Sequence, residues 1–191
     1  MAKKPTYEEE LEQRVKELKK ETLKRKQAEK ALRENEGKES LKTAMKNSIS
    51  EVLEKMFYLP LDFSEDSNVG ELLNSGRGEI IVSKLNFSGP FSGWFLFFVP
   101  KELAHSITAD FMGIDEDSLS QDQVTETVKE IINMVTGNTF SIFDDQVVFD
   151  LGIPELIDFE KTKRDISESE EKIFITIDTL DNHLALGMVK A

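Results

Sequence analysis

The segment EIIVSKLNFSGPFSGWFLFFVP, residues Glu79–Pro100, holds two apolar runs around a turn. The first run, Glu79–Phe87, carries Ile80, Ile81, Val82 and Leu85. Ser88-Gly89-Pro90 reverses the chain, and Phe91–Val99 then brings Trp94, Phe95, Leu96, Phe97 and Phe98 in unbroken succession. Alternation with one wet face would put a polar residue at every second position. A strand without that alternation is covered on both faces and lies inside a sheet. A core strand accounts for the aromatic run better than an exposed interface does.

Downstream, Pro100 opens a helix over Lys101–Met112, which Gly113 ends. Ser118–Asp122 offers cap residues for a further helix, about Gln121–Val135, continuing irregularly toward Phe143. Val147–Leu151 reads as a short strand before Gly152-Ile153-Pro154. Lys172–Thr179 and His183–Lys190 alternate apolar and polar residues around Asp181-Asn182, a second hairpin. Upstream, Leu41, Ala44, Met45, Ile49, Val52, Leu53 and Met56 share one face of a helix over Ser40–Met56, which Pro60 stops. Residues 64–78 and 161–171 read as loops. The order is helix, two strands, two helices, three or more strands. It predicts an α+β fold, a mostly antiparallel sheet with helices packed on one face.

Ahead of that body lies different material. Residues 1–38 hold 12 basic and 9 acidic residues, a net charge of +3, whereas residues 39–191 hold 12 and 28, a net of −16. The change of charge and texture near Gly37 divides the chain into a polar helical extension, 1–38, and a domain, 39–191. The extension reads as one long helix over residues 6–36, capped by Thr6, with Glu8, Glu9 and Glu10 at the positive end of its dipole. Leu11, Val15 and Leu18 follow coiled-coil spacing, the next seam positions Thr22, Arg25 and Glu29 do not, and the pattern recovers at Ala28 and Leu32.

Composition excludes several functions. A domain this acidic cannot neutralise phosphates, so no nucleic-acid partner is expected. There is no cysteine, hence no disulfide, thiolate zinc site or cysteine nucleophile, and the two histidines, His105 and His183, cannot build a three-histidine zinc site. No apolar run approaches a membrane span and no secretory h-region is evident, so a cytoplasmic protein is expected.

The helix around residue 130 carries the chemistry. At 100° per residue, Val124, Val128, Ile131, Ile132 and Val135 fall within an arc of about 100°, which faces the core. Glu126, Glu130, Asn133 and Gly137, at i, i+4, i+7 and i+11, line the opposite side. Asn is a poor helix former placed in mid-helix. Gly137 either lets another surface approach the stripe or caps the helix.

The run Glu130-Ile131-Ile132-Asn133-Met134-Val135-Thr136-Gly137-Asn138 resembles the active-site helix of the CheX/CheC/FliY chemotaxis phosphatases. Their motif is Asp or Ser, three residues, Glu, two residues, Asn, with a later Pro, which Pro154 matches here. The resemblance spans roughly residues 40–191 and suits the CheX type. Glu126 stands at the Asp/Ser position, a longer side chain. A second copy of the motif would need an Asn where Ser50 and Glu54 are followed by Phe57, so one site is expected.

The resemblance implies hydrolysis of the phospho-aspartyl group of a CheY-like response regulator. Asn133 would orient the water and Glu130 would pair with the regulator's Lys, while Glu126 and Gly137 would contact that partner. Mg2+ would sit on the regulator, so no cofactor is expected on this chain. A homodimer through the sheet is also implied. The alternative is a non-catalytic adaptor or dimerisation module that binds a regulator. The extension resembles connector helices beside sensor domains in bacterial signalling proteins. Other residues offer less. Asp144-Asp145 reads as a turn or cap, both histidines as structural, Ser88-Gly89-Pro90 lacks a phosphate cradle, and no Gly-x-Ser-x-Gly elbow occurs.

Overall fold

The computed structural model describes residues 7–64, 79–158 and 171–191, with side chains omitted at 7–13 and 15. The expected Thr6 cap, the acidic first turn, the seam residues Leu11 and Val15, and nearly all of the two expected loops lie outside what is described. Two compact units result, Met1–Glu39 and Ser40–Ala191.

Helix α1 spans Tyr7–Met56. The sequence suggests two helices meeting near Gly37, yet the backbone is helical throughout. One glycine in a helix interior costs only about 1 kcal/mol against Ala, and Glu34, Glu36, Lys38 and Glu39 around it are good helix formers with no proline among them. In the first unit every described side chain is exposed, Leu18, Leu23 and Leu32 included. Charge pairs one turn apart, Arg25–Glu21 at 3.0 Å and Lys30–Glu34 at 3.6 Å, add a few tenths of a kcal/mol each, about the usual value.

The second unit is a seven-stranded sheet. Its strands are β1 (Asp62–Ser64), β2 (Ile80–Ser88), β3 (Gly93–Pro100), β4 (Asp150–Leu151), β5 (Glu155–Ile157), β6 (Lys172–Asp178) and β7 (His183–Lys190). The order is β1-β6-β7-β3-β2-β4, with β5 also on β2, and every described pairing is antiparallel. Helices α2 (Lys101–Met112) and α3 (Gln121–Phe143) complete the unit. β1 and β5 have only three residues each, too short to show a period.

Registry explains the aromatic run. Phe95, Phe97 and Val99 point to the same face as Met188, Leu186 and Leu85, where the C-terminal half of α1, α2 and α3 cover them. Leu96 and Phe98 point the other way and join Val82, Ala185 and Val189 in a second buried cluster. β3 is thus central and covered on both faces, as its sequence requires.

Candidate functional site

α3 begins with a reciprocal cap. The Ser120 side chain accepts from Gln123 N, and the Gln123 side chain accepts from Ser120 N at 2.8 Å. The apolar arc, Val124, Val128, Ile131, Ile132 and Val135, is fully buried. α3 stays helical through Gly137 to Phe143, longer than the sequence suggests, because Thr139 and Phe140 also reach the core. Gly137 is therefore an interior residue of the helix and the capping alternative is ruled out. α1 fixes the helix along its axis: Ser48 Oγ donates to Val135 O across 2.7 Å, fully buried.

The opposite face carries the stripe. Glu126 and Glu130 are exposed, and Asn133 and Gly137 are half-buried. Glu126 Oε1 accepts from Lys129 Nζ at 2.8 Å, a pairing at three-residue spacing that the sequence offered and the stripe reading passed over. Among the described residues, no hydrogen bond or ion pair engages the side chains of Glu130 and Asn133. A carboxylate and a carboxamide one turn apart thus stand with their bonding capacity unspent.

Beside Gly137 the surface is hollow. A side chain begun at Gly137 would meet only Leu151, at 3.9 Å. From there a groove of about 330 Å³ runs along Phe140, Val147 and Phe149 to Asp144 and Asp145. Phe140 and Phe149 stack with centroids 3.8 Å apart, and Phe87 and Phe91 pack edge-on against them. Asp144 and Asp145 form a turn, each accepting from Gln146 at 3.0 Å. The sequence showed the turn but not the groove, because the groove needs β4 to lie against β2 (Phe87 opposite Leu151), a pairing with no local signature. Pro154 follows, half-buried between β4 and β5.

Other candidate residues have structural places. Phe57, where a second motif would need Asn, is buried with its ring centroid 4.8 Å from that of Phe111. His183 Nδ1 lies 2.5 Å from Asp178 Oδ1, and Ser64 Oγ donates to Asp178 Oδ2, which ties β1 to the β6–β7 hairpin. The Ser64 hydroxyl, with a smaller contribution from His183, holds the Asp178 carboxyl below its ordinary value against the opposing effect of burial. His105 has a buried Nε2 without a partner among the described residues and lies apart in the chain from the stripe. Among the described residues, no three His, Asp or Glu side chains are grouped to hold a metal ion, and no helix is long and apolar enough to cross a membrane.

The chain is thus an α+β domain whose unpaired carboxylate and carboxamide sit on one exposed helix face rather than in a cleft. A family model, chemotaxis phosphatase CheX, matches residues 81–178, and the chain belongs to that family. No curated protein matches. Among solved structures, Vibrio vulnificus CheX is 20% identical with a TM-score of 0.60, covering 78% of this chain and 95% of that one. The CheX–CheY–BeF3–Mg2+ complex from Borrelia burgdorferi gives 18%, 0.60, 78% and 96%. Thermotoga maritima FliY gives 13%, 0.55, 82% and 90%. At these identities the likeness is one of fold.

Proposed function

We propose that this chain hydrolyses the phospho-aspartyl group of a CheY-like response regulator. The observation that carries the reading is the pair Glu130 and Asn133, unpaired and outward-facing on a regular helix inside the span that matches the phosphatase family. Hydrolysis needs a water in line with the P–O bond and neutralised phosphoryl oxygens. The Asn133 carboxamide both donates and accepts, so it orients that water without acting as its base. Glu130, a carboxylate one turn earlier, pairs with the regulator's active-site Lys and fixes the register of α3 on the partner. Mg2+ and the Lys belong to the regulator. Glu126 is already paired with Lys129 and contributes at most a peripheral contact. The crystallised pairing of CheX with CheY in the Borrelia complex supports the choice of partner class.

The test is phosphate loss from a Mg2+-bound phosphorylated regulator. Wild type should accelerate it, and Asn133→Ala should lose on the order of 10²-fold or more in kcat, the scale of one preorganised hydrogen-bonding group, while still binding. If no regulator is dephosphorylated but one binds, the chain is an adaptor. A homodimer through the sheet belongs to the same reading. Sedimentation that shows a monomer at micromolar concentration would remove that part.

A further inference from the structure

The last turn of α3 and the segment that follows it expose an unusual amount of apolar surface. Ile142, Val148, Leu151, Ile153 and Leu156 all reach solvent, Val148 at 81% and Ile153 at 88%. Single exposed aliphatics are ordinary, but five within 15 residues are not, and one of them, Leu151, lines the groove. The ledge is continuous with the stripe, because Leu151 lies within van der Waals reach of the Gly137 position. The groove floor is aromatic and aliphatic, from Phe140 to Phe149 and Val147, and its far end is acidic. Asp144 and Asp145 each use one oxygen on Gln146, and no cation of this chain pairs with either among the described residues.

We propose that this ledge and groove, Val148, Ile153, Leu151 and the Asp144–Asp145 end, are the docking surface that selects the cognate regulator. Its occupant is an aliphatic side chain next to a Lys or Arg on the regulator's surface, beside its phosphorylation site. The inference rests on the phosphatase reading for its partner. Charge argues for it in two ways. The two unpaired carboxylates call for a basic group at the end of an apolar slot. The domain's net charge of −16 offers no long-range attraction to a phospho-aspartyl group, itself anionic, which leaves short-range contact as the source of affinity. The stripe then supplies chemistry and the ledge supplies recognition.

The experiment combines steady-state dephosphorylation with titration of the same regulator, activated with beryllofluoride and Mg2+, against wild type and Val148→Ser/Ile153→Ser. Both positions are exposed, so the fold should tolerate the change, and a circular-dichroism melt checks it. The expected result is KM and Kd raised about tenfold or more, the scale of two aliphatic side chains no longer buried, with kcat within about twofold, the mirror image of a loss of catalysis alone. Asp144→Asn/Asp145→Asn should weaken binding in the same direction. If wild type is active and the Ser variant keeps both KM and Kd, the docking inference is overturned and the phosphatase reading stands. If wild type is inactive but binds, and the Ser variant loses that binding, docking stands and the phosphatase reading falls. If wild type neither binds nor dephosphorylates any regulator, both fall.

Discussion

Gly137 shows how one residue separates stability from recognition. It is interior to α3, where glycine is about 0.5–1 kcal/mol worse than Ala. An added methyl would meet nothing closer than Leu151 at 3.9 Å. Gly137→Ala should therefore raise stability by about 0.5–1 kcal/mol in a thermal or urea melt. It should also raise KM for the phosphorylated regulator, because the methyl stands where the partner approaches. A stabilised variant with an unchanged KM would mean that nothing comes close there. The stripe was legible from residues alone, since a 3.6-residue period separates Glu130 and Asn133 from the buried arc without knowledge of the fold. The ambiguity at Gly137 was not, because only packing of Phe140 against the Phe87 cluster decides that the helix continues.

Among the elements, the β6–β7 hairpin carries the clearest pH dependence. Asp178 joins His183 of the same hairpin and Ser64 of β1. Its folded carboxyl sits below the ordinary value of 3.8, so its contribution is full above that pH and disappears as pH falls through the folded value. Melting temperatures of wild type and Asp178→Asn should differ at pH 6 and converge only as the pH falls below 3.8. A constant gap would show that the ionised carboxylate is not what holds the hairpin. Both long hairpins were readable because apolar alternation and turn residues are local. β1, β4 and β5 were hidden or blurred, as strands of two or three residues are made by their neighbours, here β6 and β2, and not by their own sequence. That one helix runs on through Gly37 was hidden for the opposite reason: charge changes there but helix propensity does not.

For the whole molecule, charge is the dominant variable. A net of −13 for the chain, with −16 in residues 39–191, repels an acid-rich partner at long range. Moderate salt screens that repulsion over a Debye length of about 8–10 Å and would leave the proposed Glu130–Lys pair and the apolar ledge less affected. Association with the regulator should therefore strengthen from low to moderate ionic strength. Binding that weakens steeply with salt would contradict this balance. Composition made that expectation available before any fold, whereas the position of the ledge required the sheet.

The carbonyl of Val135 has a further consequence. It accepts the hydroxyls of Ser48 and Thr139, each at 2.7 Å, two residues beyond Asn133. The backbone that carries Asn133 is thus held by bonds made when the chain folds and is not left for a partner to position. The ordering entropy is spent in advance, and little reorganisation should accompany encounter. On the proposed reading α3 acts as a preformed template, and Ser48→Ala, buried and remote in sequence, should lower both stability in a thermal melt and the rate of dephosphorylation, by less than Asn133→Ala does because Thr139 still holds the same carbonyl.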